Sequence, residues 1–112
     1  MNEEERNDLI SQGTALMASQ NYPEAKKCFE KAVEEDSQSF EAYTNLGNAC
    51  ATLQQNDEAM DAFKKALIIK PDSGETFFSL GNVCLIMGDN LKAIEYYNQA
   101  EAAGYKTAQM YQ

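Results

Sequence analysis

The chain has 112 residues, 44% hydrophobic and 24% charged, with a formal net charge of −9 and no histidine. That length holds one domain with a modest core, and the balance is globular rather than disordered. The acidic excess disfavours nucleic acid and anionic membrane surfaces, which select basic patches, and the missing histidine removes the commonest general base and transition-metal ligand.

No apolar run approaches the ~20 residues of a membrane span. The opening MNEEERND is acidic, with no apolar stretch behind it, so no secretory signal or transit peptide is expected and a cytoplasmic location is. Cys28, Cys50 and Cys84 are odd in number and lack CxxC spacing, which points to reduced thiols.

Apolar periodicity predicts six helices, over roughly 6–19, 23–35, 40–53, 57–69, 74–87 and 90–103. Pro23 falls in the first turn of the second, where its missing N–H costs nothing. In the third, Tyr43, Leu46 and Cys50 form an apolar row at i, i+3 and i+7. Asn56 and Asp89 are candidate caps for the fourth and sixth. Pro71 stops the fourth, and Asp72 and Glu75 favour the start of the fifth. Short connections force paired helices to run antiparallel.

A 34-residue period runs through these elements. It relates Gly13, Gly47 and Gly81; Ala25, Ala59 and Ala93; Phe29, Phe63 and Tyr97; and Ala32, Ala66 and Ala100. Four series with one period mark an internal repeat. Ala59, Phe63 and Ala66 make a small–large–small stripe that lets a neighbouring helix approach closely around one ring. Each mid-helix glycine costs about 1 kcal/mol against alanine, so close helix contact, rather than a hinge, is expected at all three.

The pattern resembles the tetratricopeptide repeat: aromatic–x2–Leu–Gly–x2–Tyr, then Ala–x3–Phe–x2–Ala, then Pro. The second unit carries Tyr43, Leu46, Gly47, Ala59, Phe63, Ala66 and Pro71. The third carries Phe77, Leu80, Gly81, Ala93, Tyr97 and Ala100, with Tyr105 in the proline slot. The first keeps Gly13, Ala25, Phe29 and Ala32 but has Leu9 and Gln12 for the aromatic and leucine. The resemblance implies an all-α, right-handed superhelix of three helix–turn–helix repeats, at about 6–39, 40–73 and 74–107. The first helix of each pair would line a concave groove. Tyr111, 34 residues after Phe77, would open a fourth unit, so a fragment of a longer array is favoured over a tail folded back as a cap.

Residues 9–19, 42–53 and 76–87 contain no Asp, Glu, Lys or Arg, whereas Lys26, Lys27, Lys31, Lys64, Lys65, Lys70 and Lys92 are assigned to the second helices. Under the family geometry, the groove is neutral and the outer wall charged. The groove positions implied by the resemblance are Ile10, Ser11, Thr14 and Met17 in the first unit and Glu41, Thr44, Asn45, Asn48 and Thr52 in the second. The third unit supplies Glu75, Phe78, Ser79, Asn82, Leu85 and Ile86. Asn45, Asn48 and Asn82 could pair with an extended backbone, although asparagine is also simply common there in the family; similar asparagines line the repeat arm of the nucleocytoplasmic N-acetylglucosamine transferase. Phe78, Leu85 and Ile86 could take a ligand side chain or bury against a further helix.

One family subset clamps acidic chaperone tails with cationic side chains. The matching positions here hold Ile10, Thr14, Asn45, Glu75 and Ser79, so only Asn45 agrees and acidic tails are not expected as partners. Cys50 and Cys84 read as buried hydrophobes rather than a disulfide. The acidic runs Glu3–Glu5 and Glu34–Asp36 read as solvated helix ends. No phosphate loop, nucleophile motif or paired catalytic carboxylates appear, so neither cofactor nor catalysis is expected. The expected function is a scaffold that binds a partner peptide or helix. Alternatives are the recognition arm of a larger enzyme and a three-repeat secretion chaperone; the expected state is a monomer, or weak self-association through an uncapped sixth helix.

Overall fold

A computed structural model of the protein describes residues 3–105. Six helices follow one another: α1 (Glu3–Ala18), α2 (Tyr22–Glu35), α3 (Phe40–Thr52), α4 (Asn56–Ile69), α5 (Gly74–Ile86) and α6 (Asn90–Ala102). They pair as the hairpins α1/α2, α3/α4 and α5/α6, stacked into a body of 39 × 25 × 25 Å. The fold is an all-α helical-repeat solenoid. Tyr111 and the start of a fourth unit lie outside the described residues.

The helices begin within a residue or so of where periodicity puts them, except α1, which reaches back to Glu3. Glu3, Glu4 and Glu5 occupy its first turn, where carboxylates favour the positive end of the helix dipole. Ser39 and Ser73, again 34 apart, cap α3 and α5 by accepting the backbone N–H of Ala42 (3.1 Å) and Thr76 (3.3 Å). Asp89 caps α6 through the N–H of Lys92. Asn56 does not cap α4. The cap position is Gln55, and Asn56 is the first helical residue, with its Oδ1 buried and lacking a hydrogen bond.

The turn inside each hairpin repeats in detail. Gln20, Gln54 and Gly88 adopt φ of +66°, +63° and +86°. In each turn this residue and the next donate back into the last turn of the helix, as in Gln54 N–H to Ala51 O and Gln55 N–H to Cys50 O. This left-handed C-terminal motif satisfies carbonyls that the helix end would leave bare.

The core is distributed along the stack. Ile10, Ala32 and Ala42 form one cluster; Ala25, Phe29 and Ala49 a second; Cys50, Ala59, Phe63, Leu80 and Val83 a third. The alanines of the repeat stripe are all at most 1% exposed. A Cβ on Gly13, Gly47 or Gly81 would lie 2.5, 2.6 or 2.5 Å from a ring carbon of Phe29, Phe63 or Tyr97. The glycines are therefore contact points, and what each admits is the aromatic ring of its own hairpin. Each fully buried ring contributes roughly 1.5–3 kcal/mol.

Polar links join successive hairpins on the second-helix side. Lys26 on α2 donates to Gln55 Oε1 (2.5 Å) and Glu58 Oε2 (2.7 Å) at the start of α4. The Glu58 hydrogen bond is the main cause of the raised Lys26 pKa. Within the first hairpin, Arg6 on α1 pairs with Asp36, the C-cap of α2.

Candidate peptide-binding groove

The first helices α1, α3 and α5 carry every residue expected in the groove, and the middle of the stack brings four of them together. Asn48 on α3 and Ser79, Asn82 and Ile86 on α5 line one hollow of about 130 Å³, with Ala51, Val83 and Phe63 completing it. No Asp, Glu, Lys or Arg lines it. Thr14, Asn48, Thr52, Asn82 and Ile86 are exposed, while Met17, Thr44, Asn45, Phe78 and Ser79 are half-buried.

Ile10 is a correction to the expected set. It is 5% exposed and packs with Ala32 of α2 and Ala42 of α3, two small residues that leave space for its side chain. It stabilises the first junction and offers a ligand almost nothing. Four further expected contacts are already engaged in part. Phe78 packs beside Tyr97 and Tyr105, with ring centroids 5.5 and 5.1 Å away. The hydroxyls of Thr14, Thr44 and Thr52 donate to their own helices, at Ile10 O, Phe40 O and Asn48 O. Bonding of this kind spends the donor and leaves mainly the methyl group for contact.

Asn82 is more specific than its sequence suggests. The Tyr97 hydroxyl donates to its Oδ1 at 2.6 Å. That bond leaves the two amide N–H groups as the free donors. Tyr97 fills the slot of Phe29 and Phe63, so only the third unit has this hydroxyl. The substitution was visible in the repeat, but its reach to an asparagine one helix away was not.

The second helices carry the opposite character, with one correction. Lys70 is the C-cap of α4 rather than a helical residue, and its amine lies 4.7 Å from the Phe40 ring centroid. Charge also enters the first helices at their starts, through Glu3–Asp8, Glu41 and Glu75. Two larger hollows, of about 200 and 330 Å³, involve charged second-helix residues such as Glu30, Glu58, Lys64 and Lys92. Each mixes both signs of charge, and Cys50 or Cys84 lies at its base. Both thiols are free, and burial pushes their pKa values up, which keeps them protonated and weakly reactive. Among the described residues, no group of three or more Cys, Asp or Glu side chains could hold a metal ion.

Family models described as tetratricopeptide repeat match residues 10–74 and 74–103, more than half of the chain in the first match alone. The chain belongs to the tetratricopeptide repeat family. No curated protein sequence matches it. Among solved structures, this tetratricopeptide repeat chain is similar to MamA, at a TM-score of 0.89 and 28% identity. That match covers 96% of this chain and 63% of the MamA chain, so this chain spans less than two thirds of that protein. The second tetratricopeptide repeat domain of Spaghetti (RPAP3), bound to the HSP90 peptide SRMEEVD, superposes at a TM-score of 0.84 with 15% identity, covering 88% of this chain and 92% of that one. The Yersinia enterocolitica type III secretion translocator chaperone SycD reaches 0.89 with 16% identity, covering 97% and 83%. At those identities the last two show the shared fold alone.

Proposed function

We propose that this chain is a non-catalytic protein-interaction module that holds an extended or helical segment of a partner protein in the groove formed by α1, α3 and α5. The hollow shared by Asn48, Ser79, Asn82 and Ile86 carries this reading. It combines two amide groups, that of Asn82 held by Tyr97, with an apolar wall and no formal charge, which suits a peptide backbone with an uncharged side chain. The stacked hairpins preorganise these groups, so little ordering cost falls on this side of the complex. Relatives of this fold include a peptide complex and a secretion chaperone, which supports protein binding as the coarse activity.

The finer assignment is that Asn45, Asn48 and Asn82 hold the partner's main chain while Ile86 and the exposed edge of Phe78 take its side chains. Acidic tails are disfavoured because Glu75 stands where a cation would be needed. The acidic net charge disfavours nucleic acid and membrane surfaces, and the free thiols suit a reducing, cytoplasmic setting. Among the described residues, no helix is long and apolar enough to cross a membrane.

The test is a peptide selected from a displayed random library against the full chain, then titrated against the Asn45→Ala/Asn48→Ala/Asn82→Ala variant. A loss of affinity of at least tenfold, with an unchanged far-UV spectrum and a melting temperature within a few degrees, is the expected result. Unchanged affinity overturns the groove assignment.

A further inference from the structure

Asn48 and Asn82 are the two amides of the central hollow, 34 residues apart, and each directly follows a repeat glycine. The rings packed on those glycines differ by one hydroxyl: Phe63 lies against Gly47 and Tyr97 against Gly81. The Tyr97 hydroxyl is 2.6 Å from Asn82 Oδ1. That separation suits an O–H···O bond and is short for N–H···O, so the oxygen of the amide, not its nitrogen, faces the tyrosine.

The group that fixes Asn82 is itself held in place. A Cβ on Gly81 would fall 2.5 Å from Tyr97 Cε1, and the Phe78 ring lies 5.5 Å away between centroids. Held between these two neighbours and half-buried, the Tyr97 ring keeps its hydroxyl at one point beside α5.

An asparagine amide that can turn over offers a donor or an acceptor as the ligand requires. Asn48 is of that kind, since Phe63 has no hydroxyl to hold it. Asn82 has its oxygen engaged and turns two N–H donors to the ligand, so it matches an acceptor. The remaining walls are Ala51, Phe63, Ser79, Val83 and Ile86, and a carboxylate there would lose hydration with no cation to replace it. The acceptor that fits is a carbonyl. Apart from its last turn, a helix already bonds its main-chain carbonyls to its own N–H groups, whereas an extended chain leaves them free.

We propose that Tyr97 is a positioning residue that makes Asn82 a donor-only contact. The groove therefore takes an extended, uncharged segment through one of its main-chain carbonyls, in preference to a helix. This inference rests on partner binding in the groove of α1, α3 and α5, and it decides between the two partner conformations which that reading allows.

The test titrates the library-selected peptide into the full chain and its variants. Tyr97→Phe restores the ring present as Phe29 and Phe63 in the other units, so the melting temperature should stay within a few degrees. It should weaken the peptide by about threefold or more in the otherwise unchanged chain, and by less than about twofold in an Asn82→Ala background, because the hydroxyl acts through that amide. Equal weakening in both backgrounds would mean a purely structural hydroxyl and overturn the proposal. Asn82→Asp keeps the shape but presents acceptors alone, so it should bind worse than Asn82→Ala. Binding as tight as the alanine variant, or tighter, overturns the donor-only contact. Isotope-filtered NOEs should show the bound peptide extended, and a helical pattern overturns the choice of conformation. Full affinity in the Asn45→Ala/Asn48→Ala/Asn82→Ala variant would sink groove binding and this inference together. A loss there with none in Tyr97→Phe would sink this inference alone.

Discussion

The Phe63 ring occupies the space that a side chain at position 47 would need: a Cβ built on Gly47 falls 2.6 Å from Phe63 Cε1. Phe63 is 1% exposed, wedged among Ala59, Cys50, Leu80 and Val83, and cannot swing aside without moving the third core cluster. Gly47→Ala therefore forces overpacking worth about 1–3 kcal/mol, partly offset by about 1 kcal/mol of helix propensity. A net loss of up to about 2 kcal/mol is expected in chemical denaturation. Combining it with Phe63→Leu should cost less than the two single changes added, because the smaller side chain makes room; strict additivity would contradict the contact.

The turns predict a change in the opposite direction. Gln54 holds φ of +63° where the third unit has Gly88. A side chain in that region costs roughly 1–2 kcal/mol against glycine, less the greater freedom glycine has when unfolded. Gln54→Gly is expected to raise stability by about 0.5–1 kcal/mol, read as a higher denaturation midpoint with an unchanged slope. A lower midpoint would show that the Gln54 side chain contributes something the turn geometry does not reveal.

Asp36 links stability to pH. The Gln38 backbone N–H and then Arg6 hold its carboxyl below its ordinary value of 3.8. A depressed folded pKa stabilises above the unfolded value and loses that contribution as pH falls through the folded one. The melting temperature should therefore fall on acidification below about pH 4, and Asp36→Asn should flatten part of that fall. The two proteins melting in parallel from pH 5 to pH 2 would remove Asp36 from the acid response.

Ligand charge gives a direct check on specificity. The peptide SRMEEVD, seen bound to the Spaghetti domain, carries three carboxylate side chains or more with its terminus, and Glu75 would oppose it here. Fluorescence anisotropy with that peptide should show no saturable binding at up to millimolar protein. Micromolar binding that weakens with salt would mean cations elsewhere on this chain serve the purpose.

The parts of this molecule that recur were readable in the chain, and the parts that depend on one side chain reaching another were not. The glycine, alanine and aromatic series predicted the hairpins and the close helix contact because steric fit needs the same residue at each turn of the repeat. Ser39 and Ser73 share that period and could have been found by the same shift. The left-handed turns were hidden because glutamine is not a turn-forming residue, and only Gly88 betrays the conformation. Asn56 looked like a cap because asparagine favours that role, yet the helix begins one residue earlier. Ile10 resembled a groove residue by position, and its burial is decided by the smallness of Ala32 and Ala42 on two other helices.

The turn at Gln54 joins α3 to α4, and both line the central hollow, through Asn48 and Ala51 on one and Phe63 on the other. Its backbone angle consequently sets how the Phe63 wall of the hollow lies against Asn48. A loop grafted at that corner would widen or narrow the mouth of the site while leaving every ligand-facing side chain as it is.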